Sequence, residues 1–307
     1  MGVDISTLRA INFATRTRKI DFDRCVMLGR QEIFFTKEDF EFVKKRASLP
    51  IDYDDTIRIG SFAEPLFKKY GALQVDSIDA SPYEGASLIM DFNRPIPPAL
   101  HNQFTVFADF GSIEHIFDIS QAIENIFALL SENGTVIIKT QANGYAGHGF
   151  YQISPEFFYS VFSEENGFAD TLVSLVDLQS IRRWCLVPDP KQIRKRNVIP
   201  EHRTYYIFCF STKKGRRSEI SVLQSDYELG AWQTMGHSHM GEYRRSLFSR
   251  IRHRVNPFVF QNLRGRYYAL KSQRQFDQDT RRFDPDVIPT TDFAKLRCPG
   301  AGQHQCR

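Results

Sequence analysis

Apolar and polar positions along the chain follow two periods, and the two alternate. Runs rich in apolar and β-branched residues predict seven strands: Cys25 to Gly29, Leu73 to Asp79, Ser87 to Phe92, Phe104 to Ala108, Thr135 to Thr140, Thr171 to Leu178 and Thr204 to Ser211. Helical spacing fills the gaps between the early ones. Thr36 to Ala47 opens on a capping residue with Asp39 three positions on. Phe62 to Tyr70 is followed by a stop at Gly71. Ile119 to Leu130 has apolar residues at Ile119, Ala122, Ile123, Ile126, Phe127, Leu129 and Leu130, a helical spacing. Ser154-Pro155-Glu156 reads as an N-cap with proline at the first helical position, opening a helix that ends near Gly167.

This order predicts an α/β domain with a Rossmann-like, seven-stranded, mostly parallel sheet and an antiparallel last strand. The last two strands form an antiparallel pair, joined by the basic, proline-containing segment Arg182 to Arg203. In such sheets ligands bind at the carboxyl ends of the strands. The segment Ala108 to Phe117 is then the most telling. A buried strand ends there in a glycine turn that presents Asp109, Ser112, Glu114 and His115 together.

Composition narrows the class. With 307 residues, 42% hydrophobic and 25% charged, the chain has enough material for a large core. No apolar run is long enough to span a bilayer, and the first 20 residues lack the apolar stretch of a secretory leader. The five cysteines form no CxxC pair, and Cys25 and Cys209 fall in strand runs, which points to a reducing, cytoplasmic setting. Charge is uneven. Residues 215–307 carry 16 Lys and Arg against 9 Asp and Glu, whereas the first 214 carry 24 against 27. The chain is therefore read as an α/β domain over 1–214 and a basic, partly helical extension over 215–307, disordered towards its end. Within the extension, Leu247, Ile251 and Val255 lie at helical spacing among arginines, so 243–255 reads as a basic amphipathic helix. Such a helix packs on its own domain, binds an acidic partner or lies on an anionic membrane surface, which would make the protein peripheral to the membrane. No nucleic-acid-binding module is present, so nucleic acid is not an expected partner.

Several blocks together resemble the class I S-adenosylmethionine-dependent methyltransferases over about Cys25 to Lys214. They are Val75 to Asp79, Ile89 to Asn93, Asp109 to Phe117, Leu129 to Ile138 and Gly147 to Pro155. Within that superfamily the chain is similar to uncharacterised bacterial methyltransferase-like proteins linked to surface-glycan synthesis. The resemblance implies S-adenosyl-L-methionine as cofactor and a small molecule or glycan intermediate as methyl acceptor. It makes Asp79, or else Asp76, the carboxylate that holds the ribose diol, and puts Asp91 beside the adenine. Backbone around Asp109, Gly111 and Ser112 would wall the sulfonium. His148, between Gly147 and Gly149, and His115 are the candidate acceptor-side bases. Glu114-His115 alone is not a metal motif, and no ligand partner stands at helical spacing, so no metal is expected.

The sequence departs from the family at the first glycine motif. Only Gly29 remains, followed by Arg30 and Gln31. Either Arg30 pairs with the cofactor carboxylate, or the pocket is reduced or takes another ligand. A non-catalytic binding or scaffold protein of the same fold is the alternative reading, and a nucleotide-dependent enzyme of other chemistry a third.

Overall fold

The computed structural model describes residues 2–179, 184–200, 203–215, 220–225 and 257–286. The basic helix expected over 243–255 and the tail over 300–307 lie outside these residues. All seven expected strands are present: β1 (Arg24–Leu28), β2 (Gln74–Asp79), β3 (Leu88–Ile89), β4 (Phe104–Phe110), β5 (Leu130–Asn143), β6 (Phe168–Asp177) and β8 (Tyr205–Lys213). Two further short strands, β7 (Trp184–Val187) and β9 (Arg281–Phe283), extend the sheet, so the count is nine rather than seven.

The strand order is β3-β2-β1-β4-β5-β8-β6-β7-β9. The β3-β2-β1-β4-β5 half is parallel throughout. β8 inserts antiparallel between β5 and β6, and β7 also runs against its neighbours. β6 and β8 thus form the expected antiparallel pair. The segment joining them supplies β7 and the short helix α6 (Pro190–Ile193) rather than a plain connection.

Helices cover both faces. On one face lie α1 (Ile5–Thr17), α2 (Lys37–Ala47) and α3 (Glu64–Lys69), packed on Cys25, Met27, Val106, Ala108 and Phe110. On the other lie α4 (Ile119–Leu129) and α5 (Pro155–Val161), packed on Val26, Leu28, Phe107 and Val136. Alternate residues of β1 thus feed opposite cores, as the period of a doubly covered strand requires. Local chemistry sets the helix starts. Thr36 and Asp39 close a reciprocal capping box on α2, and Ser154 caps α5 ahead of Pro155.

α1 was not among the expected elements. Asp4 caps it by accepting from the Thr7 amide, and its other carboxylate oxygen lies 2.7 Å from the Nζ of Lys139 on β5. Residues beyond 214 also return to this domain. The helix α7 (Pro257–Asp279) leads into β9, which pairs with β7. Phe276 is buried in the second core. Arg9 of α1 donates from Nε to both oxygens of Asp286, at 2.9 and 3.0 Å, and from Nη2 to Asp284 at 2.9 Å. A boundary at 214 would therefore separate β9 and the buried partner of Arg9 from the sheet and helix they contact.

Candidate functional site

The strand order reverses direction about β1: β2 and β3 lie to one side, β4 and β5 to the other. The carboxyl ends of β1 and β4 flank the crevice where α/β sheets bind ligands. Gly29 ends β1 with φ +71°, and its amide donates to Ile78 O at 2.7 Å. A Cβ there would sit 2.6 Å from Ser112 Oγ, so only glycine allows the β1 and β4 turns to meet. Ser112 Oγ donates to Leu28 O at 2.9 Å and accepts from Gln31 Nε2 at 3.1 Å. Gln31 also donates to Leu28 O. This network fills the floor of the crevice. One group in it is unmatched: Gln31 Oε1 is buried without a hydrogen-bond partner.

Arg30 already has an acidic partner. Its Nε donates to Glu64 Oε1 at 2.7 Å, its Nη1 donates to Glu84 O at 2.8 Å, and the guanidinium lies 3.9 Å from the centre of the Phe62 ring. These contacts tie the β1 turn to α3, and the cofactor carboxylate is not needed to explain the residue. Arg30→Ala is expected to cost about 1–2 kcal/mol, from a partly exposed ion pair and a cation–π contact. It should leave affinity for S-adenosylhomocysteine, a stable analogue of the cofactor the resemblance implies, within about twofold. Thermal melting and calorimetry on the same variant check this. Lost affinity at unchanged stability would restore Arg30 as a ligand.

The acids separate clearly. Asp76 accepts from Ser87 Oγ at 2.9 Å and from Gln74 Nε2 at 2.6 Å, one bond to each oxygen. Asp79, at the carboxyl end of β2, accepts only from the Ser81 amide, at 2.9 Å, and its second oxygen has no partner among the described residues. Of the two, Asp79 has the capacity to hold a diol. Asp91 is an exposed turn-former. It accepts from the Asn93 side chain and amide, at 2.8 and 3.0 Å, and these bonds hold its carboxyl below the usual range.

Asp109 is also a turn-former, and a fully buried one. It accepts from the amides of Gly111 at 3.2 Å, Ser112 at 2.8 Å and Ile113 at 3.1 Å. Gly111 turns there with φ +118°. Burial, with Glu114 adding to it, pushes the Asp109 carboxyl up to about 8. The Asp109 side chain thus holds together from within the turn whose backbone is expected to wall the sulfonium.

The histidines meet. His148 follows β5 and His115 follows β4, and their ring centroids lie 4.8 Å apart at an interplanar angle of 70°. Both are exposed, and neither imidazole has a hydrogen-bond partner in the protein among the described residues. Beneath them is Glu114, fully buried, which accepts from Thr140 Oγ1 at 2.8 Å and from Gln141 Nε2 at 3.3 Å. Gly149 is essential to this approach. It has φ +71°, and a Cβ would fall 2.9 Å from Glu114 O, while the next amide, Phe150, donates to that oxygen at 2.8 Å. Phe117 and Phe150, both mostly exposed, meet edge to face at 5.7 Å beside the histidines. The absence of a ligand partner for Glu114-His115 holds only along the sequence: folding brings His148, 33 positions after His115, to the same place. The ligand-capable atoms of Glu114, His115 and His148 all lie within 4.8 Å of one another.

A cavity of about 390 Å³ opens elsewhere, between Tyr159, Phe168, Thr171, Val187 and Asp189. It lies at the amino end of β6, the opposite end of the sheet from the histidines. No helix of the described residues is long and apolar enough to cross a membrane.

No family model matches the chain, and no curated protein is similar to it in sequence. Solved structures are similar at low identity. The YcgJ protein of Bacillus subtilis is 10% identical over 68% of this chain and 99% of its own, with a TM-score of 0.37. A putative methyltransferase of Bacillus halodurans is 8% identical over 67% and 99%, with a TM-score of 0.39. The 1,6-didemethyltoxoflavin-N1-methyltransferase of Burkholderia thailandensis, solved with S-adenosylhomocysteine, is 11% identical over 69% and 79%, with a TM-score of 0.37.

Proposed function

We propose that this protein transfers a methyl group from S-adenosylmethionine to a small molecule or glycan intermediate that presents a hydroxyl. One observation carries the reading: at one end of the sheet, a carboxylate with a free oxygen, Asp79, and two unpartnered imidazoles, His115 and His148, flank the point where the strand order reverses. From β2 to β5 is three strand spacings, roughly 14 Å. That span suits an extended ligand with a diol at one end and a reacting group at the other.

The chain's own atoms fit the cofactor. Asp79 accepts from the ribose diol. Gln31 Oε1, a buried acceptor without a donor, matches the ammonium of the methionyl part. When bound, the cofactor supplies a methyl group already activated on a sulfonium, so alignment is the main demand on the protein. His115 and His148 bind and orient the acceptor hydroxyl, and Phe117 and Phe150 offer its apolar face a wall and keep water away.

The test is binding. S-adenosylhomocysteine at about 100 times its dissociation constant should stabilise the full chain by about 2.7 kcal/mol. Asp79→Ala should weaken binding roughly 10- to 100-fold with the fold intact, since it removes hydrogen bonds to a charged acceptor. The packed Gln31–Ser112 turn favours a second reading, a scaffold of the same fold without the cofactor. Absence of any binding by calorimetry or thermal shift decides for it.

A further inference from the structure

We propose that Glu114, His115 and His148 hold a divalent first-row transition-metal ion at the acceptor end of the site. The role of the ion rests on the methyl-transfer reading, but its binding does not.

The three side chains come from two strand ends and point their ligand atoms at one another within 4.8 Å. Ligands of a bound ion of this class stand about 2.0–2.2 Å from it, hence somewhat over 3 Å apart. The remaining closure is small and falls on exposed side chains. Both imidazoles are exposed, and a Cβ at Gly147, next to His148, would meet nothing within 4 Å. Glu114 is the fixed member. It is held from behind by Thr140 Oγ1 and Gln141 Nε2, the outer-layer support that orients carboxylate ligands in metal sites.

Two independent features ask for a cation or its water here. Glu114 is fully buried, yet no Lys or Arg pairs with it among the described residues. Buried carboxylates are ordinarily paired or bound to a metal. Beside it, Gln141 Oε1 is buried without any hydrogen-bond partner, an acceptor suited to a coordinated water. Two imidazoles and one carboxylate select zinc, cobalt, manganese or iron over magnesium or calcium, which take oxygen donors. Three protein ligands leave positions open. With positions left for exchange, an acceptor with two neighbouring oxygens is the class this site would prefer.

The test uses the full chain, stripped with a chelator and titrated with Co²⁺ by visible absorption and with Zn²⁺ by calorimetry. One ion per chain is expected. His115→Ala and His148→Ala should each weaken binding at least 10-fold, and because both side chains are exposed the variants should melt with the parent. Thr140→Val, which removes one hydrogen bond to the carboxylate and keeps the shape of the side chain, should weaken binding about 10-fold. If the parent takes up no ion at micromolar concentrations, or binds no better than the two histidine variants, the site does not exist. Calorimetry with S-adenosylhomocysteine on the same samples keeps the two readings apart. Ion binding without nucleoside binding sustains the metal site and removes the methyl-transfer reading, and nucleoside binding without ion binding does the reverse.

Discussion

Replacing Asp4 with alanine is expected to destabilise the protein by about 3–5 kcal/mol, measured by urea denaturation. The Lys139 side chain is only 1% exposed. It donates to Asp4 Oδ2 at 2.7 Å, to Thr7 Oγ1 at 3.1 Å and to Gly2 O at 3.3 Å. Without Asp4 a buried positive charge loses its only counter-charge in that set, and α1 loses its cap. Asp4→Asn should fall between, since it keeps acceptors for the Thr7 amide but not the charge. The pair also predicts a pH dependence. Burial pushes the Asp4 carboxyl up, but the Lys139 charge and hydrogen bonds from Lys139, Ser6 and Thr7 outweigh it and set it below its ordinary value. In the unfolded chain an aspartate titrates near ~3.9. The stabilisation is therefore fully present above about pH 4 and is lost as pH falls through the lower folded value. Asp4→Ala should flatten this acid limb. A variant that unfolds at the same urea concentration as the parent would show that α1 is held by its apolar contacts alone.

His148→Ala is expected to lower turnover by roughly 10²- to 10⁴-fold while changing affinity for S-adenosylhomocysteine by less than about twofold. The side chain is exposed, faces His115 and lies beyond β5, away from the carboxylate assigned to the ribose. It contributes little to the core, so the variant should melt with the parent. Release of S-adenosylhomocysteine in the presence of hydroxyl-bearing glycan intermediates reads the rate. Parallel losses of affinity, stability and turnover would make His148 a loop residue and leave His115 as the acceptor-side group.

Much of the fold was legible because its strands are plain. Cys25 to Gly29 and Phe104 to Ala108 are short apolar runs buried on both faces, and no other element explains them. α1 was hidden for the opposite reason. Ser6, Thr7, Arg9 and Asn12 are buried, the last three with partners that only the tertiary structure supplies: Lys139, Asp286 and the Ala47 carbonyl. Their polarity masks a helix that is enclosed on nearly every side. β9 escaped notice as an edge strand with two exposed arginines and one aromatic anchor, Phe283, against Phe13 and Trp184.

The site divides in the same way. Gly29, Gly111 and Gly149 announce tight turns in any reading, and the structure gives each a positive φ. Which acid is free and which is spent could not be read, since Asp79, Asp91 and Asp109 all end or follow strands. Backbone amides two to four residues on decide it for Asp109, and the Asn93 side chain and amide do so for Asp91. The meeting of His115 with His148 is likewise a matter of adjacent strand ends and not of spacing.

The clamp from Arg9 to Asp286 also governs the order in which the molecule can be completed during synthesis. Its partners are 277 positions apart, so it is among the longest-range contacts the chain makes. A nascent chain that has emerged as far as residue 214 already holds the seven principal strands, and these can pair. The bonds from Arg9 to Asp284 and Asp286 are then not yet possible, and α1 settles against the sheet before this clamp can form. Closure waits for Asp284 and Asp286 to leave the ribosome. Contacts of such separation slow folding in proportion to the chain entropy they remove. The first helix to be made is thus among the last to be fixed.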